Sequence, residues 1–122
     1  MTAARPANDR FACDLAVELD TGRARLPGRI LDIADAGLCC TIDAPIASGT
    51  SLTAHLRLVL EWGMSEPLAV FGQVVWLTPT EGRYQVGVAF SPPTPDVAQR
   101  LEVLLKVLFG QINLPTPATA AN

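Results

Sequence analysis

The chain has 122 residues, enough for one domain that buries a core without disulfides or a structural metal. Hydrophobic residues make up 49% and charged ones 17%, a globular rather than a disordered composition. The net charge of −3 argues against a general nucleic-acid binder, which needs a basic footprint.

In chain order, residues 1–9 are polar and carry Pro6, which predicts an extended arm. Residues 11–19 alternate, with Phe11, Cys13, Leu15, Val17 and Leu19 on one face and Asp14 and Glu18 on the other, the pattern of a half-buried strand. Asp20-Thr21-Gly22 is a turn. A second strand is expected over residues 25–33, with a bulge or irregular start at Pro27-Gly28. Residues 32–37 then turn the chain into a third strand over 38–42. Residues 52–60 give the cleanest alternation, which sets His55 and Arg57 on an outer, solvated face. Residues 61–67 form a turn region.

Residues 68–77 are apolar on both sides, which predicts a strand covered on both faces, with Trp76 on the side of Val70 and Val74. Hairpin chemistry at 78–82 leads into a strand over 83–90. Six short strands at this spacing predict an antiparallel barrel. Thr94, Pro95 and Asp96 supply the cap, first turn and dipole partner of one helix, which Gly110 ends. Its apolar stripe is Val97, Ala98, Leu101, Leu104, Leu105, Leu108 and Phe109. Val103 and Val107 fall outside it, so the helix is expected to meet either the chain's own tail or another protein. The organisation is thus an N-terminal arginine arm over residues 1–10, a barrel with its helix over 11–110, and a disordered Pro/Ala/Thr-rich tail over 111–122.

Cys13, Cys39 and Cys40 have no framework spacing, and with His55 as the one histidine neither a disulfide nor a metal site is expected. No apolar run approaches the ~20 residues that span a membrane, and no signal peptide is evident, so a soluble cytoplasmic protein is expected. A Ser/Cys–His–carboxylate set, a P-loop and a metal cluster are all missing, which argues against an enzyme. Single-stranded nucleic acid would want aromatics on a basic face, whereas the seven aromatics here fall mostly on core-facing positions.

The remaining signal is Asp32-Ile33-Ala34-Asp35-Ala36-Gly37 together with the upstream Arg5 and Arg10. Guanidinium forks bind phosphates and the N7/O6 edge of guanine, and a carboxylate accepts from guanine's ring N–H and amino group. The bland alternative is an Asx turn at Asp32, a positive φ at Gly37 and solvated arginines.

This order of features resembles the PilZ family, whose signature is Arg-x-x-x-Arg followed some twenty residues later by Asp/Asn-x-Ser-x-x-Gly. Arg10 precedes Asp32 by 22 residues and Gly37 follows Asp32 by five. Gly72-Gln73-Val74-Val75-Trp76 and Val86-Gly87-Val88-Ala89-Phe90 match the family's later strands. The resemblance covers roughly residues 5–109. It implies a six-stranded antiparallel PilZ-type β-barrel (split-barrel-like) with a C-terminal α-helix, and a receptor for the bacterial second messenger cyclic di-GMP. Carried over, Arg10 is the second arginine, Asp32 the acidic position and Gly37 the glycine. Two positions depart. Ala34 replaces the serine, removing a contact worth about 1–3 kcal/mol, or roughly tenfold to a hundredfold in affinity. Pro6 stands where the first arginine belongs, with Arg5 one residue further away, an offset of ~3.5 Å in reach.

The resemblance therefore implies a ligand set of Arg5, Arg10, Asp32, Ala34 and Gly37, no metal or other cofactor, and signalling through an unidentified protein partner or an oligomer at Val103 and Val107. The alternative is a degenerate PilZ domain that does not bind cyclic di-GMP and acts only as an adaptor. Neither reading involves nucleic acid or membrane insertion.

Overall fold

The structure, a computed structural model, describes residues 12–61 and 63–110. Seven strands and one helix follow in order: β1 (Ala12–Asp20), β2 (Arg25–Ala34), β3 (Gly37–Ile42), β4 (Ser51–Leu60), β5 (Gly63–Met64), β6 (Leu68–Thr80), β7 (Arg83–Phe90) and α1 (Pro95–Leu108). The antiparallel sheet runs β1-β2-β3-β7-β6-β4, and a further β1–β4 pairing closes it into a six-stranded barrel. The two-residue β5 is an outlying pairing on β4, within the segment expected to be a turn. Closure removes the free sheet edges that would otherwise recruit other chains.

The predicted alternation sets the core. Leu15, Val17 and Leu19 of β1 point inward with Leu52, Ala54, Leu56, Leu58 and Leu60 of β4, and Val86 and Val88 of β7 complete that wall. Hydrophobic burial of this kind contributes roughly 25 cal/mol per Å² and is the main force closing the barrel. The β6–β7 hairpin is tighter than expected, because β6 continues to Thr80 and only Glu81 and Gly82 form the turn. Both have positive φ (48° and 81°), the backbone that a two-residue hairpin of this hand requires.

Antiparallel pairing brings the starts of β1, β3 and β6 and the ends of β2, β4 and β7 to the same end of the barrel. Helix α1 leaves β7 there and contacts β1 and β6, so it covers that end. Thr94 caps it as expected, its hydroxyl accepting from the Val97 N–H at 3.3 Å. The buried stripe differs from the predicted one. It is Leu101, Leu104 and Val107, while Ala98 and Phe109 are exposed. A helix lying over the small mouth of a barrel buries one narrow row at i, i+3, i+6, not the wide face a flat sheet would cover.

Four further expectations are corrected. Val107, expected on an outer interface, is 2% exposed and belongs to the core. Strand β6 is lined by the core on one side only, with Phe71 and Val75 exposed on the other. The β1–β2 register runs regularly through Pro27 and Gly28, and the irregularity in β2 lies between Ile30 and Asp32. His55 is half-buried, its Nε2 3.8 Å from the Asp20 carboxylate. It opposes Glu18 across β1, where neighbouring side chains shield it from solvent. The predicted tail over residues 111–122 lies outside the described residues.

Candidate functional site

The site is built by two bulges. In β2 the register slips at Leu31, so that Ile30 opposes Cys40 but Asp32 opposes Cys39. Side chains alternate along a strand, and one extra residue flips everything after it. Ile30 and Ile33 therefore both face inward, while Asp32 and Ala34 face out. The second slip, at Val75 of β6, lets Val74 oppose Val88 and Trp76 oppose Gly87. Trp76 is thereby carried to the outer face, and Leu77 packs on the core in its place.

The registers then align a row of outward residues across four strands: Asp32 opposes Cys39, Cys39 opposes Gly87, and Gly87 opposes Trp76. At ~4.8 Å per strand the row spans about 14 Å from β2 to β6. A second row, Ala34, Gly37, Ala89 and Gln73, lies two residues further along β2, β3 and β7 and three along β6, where the bulge intervenes. Between them is a shallow trough of about 310 Å³ with a floor of glycine and alanine, the Asp32 carboxylate at one side and the Trp76 indole at the other.

Neither glycine can take a side chain without displacing a neighbour. A methyl at Gly87 would collide with the Trp76 indole, which covers it. A methyl at Gly37 would collide with the Val88 carbonyl oxygen of β7. Gly37 does not have a positive φ, so close approach between strands, not turn geometry, explains the residue. The turn itself is shorter than the six-residue segment predicted. Asp32, Ile33 and Ala34 end β2, Gly37 begins β3, and only Asp35 and Ala36 connect them. The Phe90 N–H donates to the Ala36 carbonyl at 2.9 Å and holds the hairpin against the end of β7.

Asp32 accepts from the Ile33 N–H at 2.9 Å through Oδ1. Desolvation, and then the Asp32 charge, push the Cys39 thiol up from its ordinary value. Cys40, buried on the opposite face, is pushed up to about 12, chiefly by burial. Both sulfurs are therefore neutral thiols near pH 7, and the two side chains diverge as expected. Among the described residues no group of His, Cys, Asp and Glu could hold a metal, and no helix is long and apolar enough to cross a membrane.

Of the predicted ligand residues, the structure brings Asp32, Ala34 and Gly37 together on one trough. Arg5 and Arg10 lie outside the described residues. The chain enters β1 at Ala12, at the end of the barrel that carries the hairpin. Among the described residues lining the trough, Asp32 is the one charged group. Val103 is 42% exposed on α1, one turn before the buried Val107. Trp76 is the residue that sequence reasoning misplaced. Strict alternation sets it inward, and only the glycine opposite it in β7 signals a large side chain lying flat across the sheet.

A PilZ domain family model matches residues 4–106. Among solved structures, the PilZ domain of YcgR from Escherichia coli with c-di-GMP has a TM-score of 0.58 at 14% identity, covering 81% of this chain and 87% of that one. YcgR from Escherichia coli in complex with c-di-GMP has a TM-score of 0.57 at 14% identity over 77% of this chain and 40% of that one. Apo MrkH from K. pneumonia has a TM-score of 0.58 at 21% identity over 81% and 48%. The chain thus spans less than half of these two longer proteins. Identities this low establish a shared fold. No curated protein matches the chain. The family match covers most of the sequence and agrees with the barrel, the helix and the hairpin spacing: the chain belongs to the PilZ domain family.

Proposed function

We propose that this chain is a cytoplasmic bacterial receptor domain for cyclic di-GMP, with the arm arginines and the outer trough forming the site. The observation that carries the reading is the aligned row Asp32, Cys39, Gly87 and Trp76. A flat floor with a carboxylate at one edge and an indole at the other suits a guanine base. The carboxylate accepts from its ring N–H and amino group, and the indole offers a stacking face worth about 1–3 kcal/mol. The trough's own charge is negative, so the two phosphates of the messenger must be neutralised from elsewhere, and Arg5 and Arg10, which precede β1 in the sequence, are the cations assigned that role. Ordering an arm over a bound dianion changes the exposed surface, which gives a partner two states to distinguish.

Ala34 stands two residues from Asp32 on the same face. Ala34→Ser therefore tests the site directly: the added hydroxyl should tighten cyclic di-GMP about tenfold in a calorimetric titration. An unchanged affinity would mean that the ligand does not touch this strand.

A second reading is an adaptor that dispenses with the messenger. It is favoured by Ala34 and by an apolar outer face on β6, where Phe71, Val75 and Trp76 are 67%, 50% and 40% exposed. An exposed patch of this kind marks a protein contact more often than chance on a soluble domain. In that reading Val103 contributes to the contact from α1, and binding of a partner is unaffected by cyclic di-GMP.

A further inference from the structure

The bulge that carries Trp76 outward is met, on the β4 edge of β6, by the turn at residues 47–50 that leads into β4. Gly49, at φ 91°, donates its N–H to the Val74 carbonyl at 2.7 Å, and the Val74 N–H donates to the Thr50 carbonyl at 2.9 Å. Val75 is passed over in the β6–β7 pairing, and its carbonyl accepts from the Ser48 hydroxyl at 3.3 Å. The Gln73 side chain donates from Nε2 to the Gly49 carbonyl at 3.2 Å. We propose that this turn is the positioning element of the trough's aromatic wall, with Ser48 and Gln73 acting through the bulge to keep Trp76 over Gly87.

A bulge drops one residue from the ladder, and the backbone groups it frees must bond elsewhere. Regular alternation would set Trp76 on the inner face with Val74, so whatever fixes the bulge also fixes the face on which the indole lies. Two contacts do so. Beyond the slip, Leu77 packs on the core. Before it, the turn takes both backbone groups of Val74 and the freed carbonyl of Val75. The turn is itself anchored. Ile46 at its base is buried, and Thr50 donates to the Ala47 carbonyl through its N–H at 3.1 Å and its hydroxyl at 2.6 Å. The consequence reaches the trough floor. Nε1, Cε2 and Cδ1 of the indole lie against Gly87 where a Cβ would stand, so one Gly87 Hα points at the five-membered ring. Ser48 does not line the trough, so its effect there is indirect.

The value of a fixed indole to the proposed ligand site rests on the messenger reading. The turn's hold on Trp76 is measured without nucleotide, so failure of one is told apart from failure of the other. In the nuclear magnetic resonance spectrum of the full chain, ring current should place one Gly87 Hα well upfield of its random-coil position. In Ser48→Ala/Gln73→Ala, which removes both side-chain ties, that proton should move back toward the random-coil position. The amides of Gly49 and Val74 should then exchange about tenfold faster, the loss expected from two exposed hydrogen bonds. Ser48→Thr keeps the hydroxyl and should match the native chain in both readouts. An unshifted Gly87 Hα in the native chain, or an upfield shift and amide exchange unchanged in the double variant, would overturn the proposal. A Ser48→Thr chain with the same losses as Ser48→Ala would overturn the role of the hydroxyl.

Discussion

Replacing Gly37 with alanine places a methyl group against the carbonyl oxygen of Val88, a backbone atom of β7 that cannot rotate away. Relief requires β3 to separate from β7 around the pairs Gly37–Ala89 and Leu38–Val88. Overpacking costs about 1–3 kcal/mol when side chains can adjust, and weakening one or two ladder hydrogen bonds adds roughly 1 kcal/mol each. We expect Gly37→Ala to cost about 3 kcal/mol, which lowers Tm by about 10 °C in a domain of this size. Gly22→Ala is the control. Gly22 sits at φ 88° with nothing within 4 Å of an added methyl, so only the left-handed backbone opposes it, at about 1 kcal/mol. Urea denaturation of both variants without ligand measures the difference, provided the denaturant slope is unchanged. A Gly37→Ala variant no less stable than Gly22→Ala would refute the packing account of the family's glycine.

Val107→Asp should unfold the chain or collapse its thermal transition, because Val107 is buried with Leu101 and Leu104 and an unpaired buried carboxylate costs several kcal/mol. Val103→Asp should leave the circular dichroism melt within ~0.5 kcal/mol of wild type, and equal losses at the two positions would contradict the helix orientation. Cys40 should resist iodoacetamide at pH 8 until urea unfolds the barrel, read by mass spectrometry of the Cys39–Cys40 peptide. Its folded value of about 12 exceeds the unfolded 9.0, so its contribution to stability is whole below pH 9 and is lost as pH rises toward 12. Rapid native alkylation at Cys40 would show that the inner face of β3 is open.

The strands were legible because period-two alternation is written plainly into β1, β4 and β7, and the six-strand count and single helix followed from turn residues. The bulges were not. A slip at Leu31 or Val75 leaves no mark in composition, since both are apolar residues that end up outside. That is why Trp76 was assigned to the wrong face of β6 and why Asp32, read as part of a turn, proved to be a strand residue. Val107 was misread for a related reason: the stripe was drawn for a broad sheet, while the mouth of a small barrel buries only a narrow row. The spacing of Asp32 to Gly37 was legible, but the reason for Gly37 was not, because the colliding carbonyl belongs to a strand fifty residues away.

The central claim is that a trough bearing one carboxylate and one indole, and no cation among its described lining, receives a dianionic dinucleotide through the arginine arm. Calorimetric titration of cyclic di-GMP into the full chain tests it most directly, with Arg10→Ala measured alongside. The account predicts saturable binding by the native chain that Arg10→Ala abolishes. Absence of saturable heat at high micromolar ligand, or affinity retained in Arg10→Ala, would contradict it.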